Sequence, residues 1–533
     1  MDLVADLLRP GALGGRGPIE LRVTHASWVF IRGEDVWKVK RPVMFGFLDF
    51  RSVAARRHFC EEEVRLNRRL APEVYLGVEP IHRLGDGLSV GIHDLGAAGE
   101  IVDWAVHMRR LPDDASGAAL LQRGALPPTE LAALAERLAV FHKAAPETPD
   151  LGAWGILRMN VDENFAETEP FVGDLVDRET FEEARSFQSR WLSTHDALVR
   201  RRQAEGRIRE GHGDLRLEHV YFMPDGRGHL EPVVIDCVEF NERFRCGDVA
   251  GDVGFLAMEL EAERRPGLAA GFLARYAEAS DDFELYEVLE FYLSYRAWIR
   301  GKVAALVASD VMTSAEARRA KRIEARRDFA LARSYAGRSL DPAFVVAVGG
   351  MIGAGKSTLA AALGRELAVP VVSSDRTRKA MAGLAPTDPG GPALYTEASR
   401  DKTYGEVLRR ADAIVRSGRG VVLDASFAEP RWRAAAAGVA RDRGATFAFI
   451  EVTCSDDAVL RSRLQGRRGV ASTSDATDAQ LGDFRRRYVS PADSEDMPLI
   501  RVEGSVDKDQ LPVRALDALR RLGVLRASAR TRS

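Results

Sequence analysis

Residues 344–367 read FVVAVGGMIGAGKSTLAAALGREL. An apolar run, FVVAV (344–348), enters a glycine-rich turn, and a helical stretch leaves it. From Gly350 to Ser357 the turn fits G-x-x-x-x-G-K-[ST], in the strand-to-helix setting that this pattern requires. Its glycines let backbone N–H groups turn inward around phosphate oxygens, and the helix N-terminus adds a favourable partial charge. The candidate phosphate-binding set is Gly350, Gly353, Ala354, Gly355, Lys356, Ser357 and Thr358. Lys356 is expected to reach the β- and γ-phosphates, and the Ser357 hydroxyl to bind Mg²⁺.

Outward from this loop, five apolar runs alternate with helical segments: 344–348, VPVVSSD (369–375), GVVLDASF (420–427), ATFAFIEVT (445–453) and LIRVEG (499–504). That grammar predicts a five-stranded parallel sheet covered on both faces, an α/β domain over 344–525. The Gly-, Ser- and Pro-bearing stretch 336–343 reads as a linker. Asp375 ends the second run and is followed by Arg376, Arg378 and Lys379. It is placed to accept a proton from an acceptor hydroxyl, with Arg378 orienting the acceptor; a helix cap is the competing reading. Asp424 ends the third run and is the candidate acid for Mg²⁺, against a plain strand-end turn. LRSRLQGRRG (460–469) holds Arg461, Arg463, Arg467 and Arg468. It reads either as a phosphate-covering lid, with Arg461 and Arg467 as contacts, or as a solvated helix end.

Residues 1–335 follow another grammar, strands first and then mostly helices. THASWVFI and VWKVK flank the polar RGED turn as in a β-hairpin, and ARRHFCEEEVRLNRRL (55–70) follows with helical spacing. Residues 127–143, 178–204 and much of 254–335 also read as helical. Between them lies His212-Gly213-Asp214-Leu-Arg-Leu-Glu-His219, and then Val-Ile-Asp236. Two acids in such positions suit phosphoryl transfer, one as base for a hydroxyl and one as Mg²⁺ ligand.

Composition narrows the function classes. The 533 residues are 46% hydrophobic and 29% charged, which argues for folded domains. A net charge of −3 offers no overall basic field for nucleic acid. No apolar stretch approaches a membrane span, and the first residues carry no basic leader, so a cytoplasmic protein is expected. The four cysteines form no C-x-x-C pair, which excludes a disulfide scaffold. Nine lysines stand against 67 arginines. A lysine at a candidate site is therefore notable, and Lys38 and Lys40 sit two apart on one strand face.

The C-terminal residues quoted above resemble the P-loop kinases of the polynucleotide-kinase, gluconate-kinase and zeta-toxin type, over about 344–505. HGDLRLEH…VID resembles the H-G-D-x-x-x-x-N…I-D pattern of the aminoglycoside phosphotransferase and choline-kinase families, over about 20–330. That resemblance implies a protein-kinase-like α+β domain with a small mixed lobe and a helical lobe. It implies Asp214 as catalytic base and Asp236 as metal ligand. Lys38, or alternatively Lys40, would contact the nucleotide phosphates, with Glu63 as the paired acid. His219 replaces the family asparagine at the second metal position, and THASWVF stands where a glycine-rich loop is usual. Asp248 and Asp252 match acids that follow the metal-binding strand, Asp252 reading as structural. As a whole the chain resembles bacterial two-domain proteins that join such a domain to a P-loop kinase. The expectation is an ATP- and Mg²⁺-dependent bifunctional kinase for a small hydroxyl-bearing molecule. The alternatives are a regulatory ATP-binding protein with a pseudokinase half and a nucleic-acid 5′-hydroxyl kinase.

Overall fold

The structure is a computed structural model. It describes all residues except 1, 16, 46–47, 86, 92–98, 312, 339, 341, 467–472, 493–494, 506–508 and 526–533. The chain forms two compact units, Met1–Arg264 with Phe291–Arg333, and Arg265–Glu290 with Ser334–Ser533. A single cut at 336–343 therefore does not separate them.

The first unit opens with an antiparallel sheet. β1 (Glu20–Val23), β2 (Ser27–Arg32) and β3 (Asp35–Lys40) form consecutive hairpins, and a two-residue ladder joins β4 (Met44–Phe45) to β5 (Leu48–Asp49). Helix Val53–Asn67 follows, and then β6 (Tyr75–Leu84), β7 (Gly87–Val90) and β8 (Glu100–Arg109). The sheet order is β1-β2-β3-β8-β6-β7. The hairpin matches expectation. The sequence reading did not mark β6 to β8, which doubles the sheet. Side chains alternate across it. Phe30, Trp37, Val39, Ile81 and Ala105 pack on one face with Leu7 and Leu13. Ile31, Val36, Val106 and Met108 pack on the other with Cys60 and Val64 of helix Val53–Asn67. Lys38 and Lys40 share the parity of Val36, so they face the helix that carries Glu63.

The rest of this unit is largely helical, as expected. Residues 178–204 form two helices, Arg178–Thr194 and Asp196–Ala204, rather than one. Short strands interrupt the helices: β9 (Ile208–Glu210) pairs with β12 (Cys246–Asp248), and β10 (Val220–Pro224) with β11 (Leu230–Val234). β11 thus ends at Val234, two residues before Asp236.

The second unit holds five parallel strands, β13 (Phe344–Gly350), β14 (Val371–Ser373), β15 (Val421–Asp424), β16 (Thr446–Thr453) and β17 (Leu499–Glu503). Their order is β14-β15-β13-β16-β17, all pairs parallel. The five apolar runs supply these five strands. Val346, Val348, Val422, Ile450 and Val502 form the core with Leu359 and Leu363 of helix Lys356–Leu367 and with Leu516 and Leu519. Residues 265–290 complete this unit. Glu278 accepts from the Val371 N–H at 2.8 Å, and Arg410 grips Asp281 through two bonds of 2.7 Å. Arg416 and Arg419 bond Glu287 and Glu290 at 3.0 and 2.5 Å.

Candidate functional site

In the first unit, the β3 face and the loops after β9 and β11 converge. Lys38 Nζ lies 2.6 Å from Asp236 Oδ1 and 2.8 Å from Glu63 Oε1. Glu63 turns its other oxygen to Lys40 at 2.8 Å, and Lys40 also bonds Glu239. One buried carboxylate thus holds two lysines. Lys38 lines a cavity of about 870 Å³ together with Asp214 and Asp236. Lys40 is fully buried and does not line it, so of the two candidate nucleotide lysines Lys38 is the one available.

Burial alone would raise the Asp236 carboxyl, but Lys38 and His219 outweigh it and hold the group below the ordinary carboxylate range. Asp236 has φ of +66°, uncommon for a residue with a side chain. Its N–H donates to the Tyr75 hydroxyl at 3.2 Å, and the Cys237 N–H donates to Asn67 Oδ1 at 2.9 Å. These bonds hold the turn that re-aims the carboxylate.

The loop 211–219 is held from beneath. Asp252 accepts the N–H groups of His212 and Gly213 at 2.6 and 2.9 Å, and His142 approaches the same carboxylate at 3.3 Å. Gly213 has φ of +84°, and a Cβ there would lie 2.8 Å from the Phe244 carbonyl oxygen, so glycine is required. Burial pushes His212 down to about 4. It is neutral at pH 7: Nε2–H donates to the Ile235 carbonyl at 3.0 Å, while Nδ1 accepts the Asp214 N–H at 3.3 Å. His219 bonds the Asp214 carbonyl through Nδ1 at 2.9 Å, and its Nε2 lies 3.5 Å from both Asp236 Oδ2 and Glu218 Oε1.

In the second unit, β13 delivers the chain to the glycine turn and helix Lys356–Leu367 leaves it. Gly350 has φ of +129°, and a Cβ there would lie 2.2 Å from the Val452 carbonyl oxygen. Lys356 Nζ donates to the Met351 carbonyl at 2.7 Å. The Ser357 and Ser373 hydroxyls bond Asp424, whose carboxyl burial raises to about 6, with Asp375 adding to the rise and Lys356 opposing it. Asp375 lies in the first turn of helix Ser374–Met381, behind the cap residue Ser373, and accepts from Arg378 at 2.6 Å. The structure therefore gathers Lys356, Ser357, Asp375, Arg378 and Asp424 at the C-terminal ends of β13, β14 and β15, where ligands of open α/β sheets bind.

Over 469 residues the chain is 32% identical to an uncharacterized protein of Mycobacterium tuberculosis, a match covering 86% of this chain and 88% of the relative. A protein of Mycobacterium bovis matches with the same identity and coverage. The chain belongs to the family of these proteins. Its residues 51–292 match the phosphotransferase enzyme family, and residues 345–491 match an AAA domain. The family member thus joins an aminoglycoside-phosphotransferase-like domain to a P-loop kinase domain. A putative aminoglycoside phosphotransferase of Ralstonia eutropha is 12% identical over 61% of this chain and 94% of that one, with a TM-score of 0.37. A gluconokinase of Sinorhizobium meliloti is 21% identical over 34% of this chain and 93% of its own, with a TM-score of 0.26.

The expected lid contact at Arg461 is not the one the structure makes. Arg461 is exposed on helix Asp457–Gln465, and it is Arg463 that reaches the phosphate loop. Arg463 donates to the Gly353 and Ala354 carbonyls at 3.4 and 3.3 Å and to Gly504 at 2.8 Å. Two helical positions separate these arginines, about 200° around the helix, and helical spacing alone did not settle which one faces inward. Arg467 and Arg468 lie outside the described residues. Sequence reasoning also passed over Glu239, Tyr75 and Asn67, whose bonds cross from one segment to another, and Asp475, which holds buried Lys379 at 3.1 Å and accepts from Tyr395.

Among the described residues no three His, Cys, Asp or Glu side chains form a ready metal cage. Both sites nevertheless suit Mg²⁺, which usually takes one or two carboxylates and leaves its remaining positions to phosphates and water. Asp236 with His219 Nε2 would hold it in the first unit, and Asp424 with the Ser357 hydroxyl in the second. Carboxylate and hydroxyl oxygens are the better match for this hard ion.

Proposed function

We propose that this protein is an ATP- and Mg²⁺-dependent phosphotransferase with two separate sites, each transferring a phosphoryl group to a hydroxyl of a small molecule in the cytoplasm. The observation that carries the reading is the convergence of Lys38, Asp214 and Asp236 from three distant segments on one cavity, with Glu63 bonded to Lys38 and His219 beside both aspartates. In the first unit Lys38, held by Glu63, binds nucleotide phosphate. Asp214 takes the acceptor's hydroxyl proton; its side chain is a third exposed and so reachable. In the second unit Lys356 and the glycine turn hold the phosphates, Asp375 is the base and Arg378 orients the acceptor. Mg²⁺, when bound, neutralises charge on the transferring group.

The test is turnover of Asp214→Asn and Asp375→Asn with every acceptor the wild type uses. Each variant should lose roughly 10²–10⁴-fold at its own site, keep ATP binding and spare the other activity. Untouched turnover in Asp214→Asn would instead support a regulatory first unit, the reading that imidazole at position 219 favours because it suits Mg²⁺ less than an amide oxygen does.

A further inference from the structure

From Asp214 the cavity extends along helix Trp154–Thr168 and residues 292–310, where several charges are already paired. Helix Trp154–Thr168 presents Asn160, Glu163, Asn164 and Glu167 at i, i+3, i+4 and i+7, one face of the helix. Arg243 binds Glu163 with two bonds, 3.1 and 2.7 Å. Lys302 binds Glu167 at 2.5 Å and Asn164 Oδ1 at 2.7 Å. Arg296 donates to the Gly251 and Gly213 carbonyls at 3.0 and 3.1 Å and sits over the Phe255 ring. Arg300 is bonded to Glu324 at 2.5 Å. At the far end Thr313 donates to Asp310 at 3.4 Å.

Two consequences follow. A polycation would find its prospective partners, Glu163 and Glu167, already neutralised, and it would have to displace Arg243 and Lys302 from them. A dianion would meet cations that are already bonded. At Glu163, Glu167, Arg243 and Lys302 neither ligand gains a new charge pair without breaking an existing one. Asn160 is nine-tenths buried on this wall, and its Oδ1 accepts no hydrogen bond. A buried unpartnered acceptor calls for a donor such as a hydroxyl. Phe240, Phe244 and Tyr295 give the same cavity flat apolar surface.

We propose that the acceptor at the first site is an uncharged, hydroxyl-rich molecule with an apolar face, a sugar or glycoside, and that the pocket discriminates against polycations. This rests on the kinase reading for the transfer itself. In that step the sugar hydroxyl oxygen forms the new bond to the ATP γ-phosphorus. The bond from that phosphorus to the β–γ bridging oxygen breaks, its electron pair leaves on ADP, and the hydroxyl proton passes to Asp214.

The experiment uses the full chain with neutral hexoses, pentoses and methyl glycosides, their amino and phosphorylated analogues, and kanamycin. Binding by calorimetry and acceptor-dependent ADP release are both measured for wild type, Asn160→Ala and Asn160→Asp, with thermal melting as a check on folding. A neutral sugar should bind and react at least tenfold better than its amino analogue. Asn160→Ala should lower its affinity roughly five- to tenfold, about the value of one hydrogen bond. Asn160→Asp should move preference toward the amino analogue. Sugar binding that Asn160→Ala weakens, without turnover, upholds the ligand class and sinks the kinase reading. Turnover of kanamycin in preference to every neutral sugar does the reverse. No sugar binding at all overturns the ligand class.

Discussion

The two candidate sites are built in opposite ways. At the second, Gly350 to Thr358 are contiguous, and one strand–turn–helix unit places the glycines, Lys356 and Ser357 together. At the first, Lys38, Glu63, Asp214 and Asp236 span almost two hundred positions and meet only when a sheet, a helix and two loops are packed. The second site depends on local backbone shape. The first depends on buried ion pairs, above all the chain Asp236–Lys38–Glu63–Lys40–Glu239. A locally built site tolerates loss of distant contacts, whereas a site assembled across the fold does not.

The largest expected effect falls on that chain. Lys40→Met leaves Glu239 buried without its lysine and should cost the first unit about 3–5 kcal/mol in urea unfolding. The double variant Lys40→Met/Glu239→Gln should recover part of the loss, since no unpaired charge remains. An unaltered midpoint in the single variant would mean the network contributes nothing, and the contrast between the sites would dissolve.

Next is the boundary. A fragment of residues 336–533 lacks Asp281, Glu278 and Glu287, the partners of Arg410, the Val371 N–H and Arg416. It should be less stable than the second unit within the intact chain by about 2–4 kcal/mol, measured by denaturant midpoint. Equal midpoints would show that the P-loop domain is independent of 265–290.

Asp424 gives a pH-dependent test. Folding raises its carboxyl from an ordinary value of 3.8 to about 6, so the folded state binds this proton more tightly than the unfolded state. The group therefore favours folding below pH 4, and that advantage is lost as pH rises through 6. Relative to wild type, Asp424→Asn should gain up to about 3 kcal/mol at pH 8 and much less at pH 4, in the absence of nucleotide. A pH-independent difference between the two proteins would contradict the assignment. Mg²⁺ binding at this site should likewise weaken below pH 6.

The smallest effect is at position 219. His219→Asn places an amide there and should hold or raise Mg²⁺-supported turnover at the first site within about threefold, because an amide oxygen suits Mg²⁺ at least as well as imidazole does. Unfolding of that variant would instead mark His219 as structural, through its bond to the Asp214 carbonyl.

Legibility followed sequence distance. The hairpin that carries Lys38, the helix that carries Glu63 and the five parallel strands were readable because apolar spacing and turn residues act within a few positions. β6 to β8 were not, since Pro80 and charged residues interrupt their alternation. Lys38 could not be separated from Lys40, because period-two alternation gives them the same face; only Glu239, two hundred residues on, buries one and leaves the other at the cavity.

The amino-acid sequence by itself determined the fold class of each half, the phosphate-cradling turn and the chemical types gathered around Asp214 and Asp375, because strand, turn and helix signals are local. Tertiary structure alone decided that residues 265–290 belong with the P-loop unit, that Arg463 rather than Arg461 meets the phosphate loop, and that Glu163 and Glu167 on the cavity wall are already paired. Those outcomes depend on long-range pairing of charges, and a charged side chain carries no mark in the sequence of which partner it will meet.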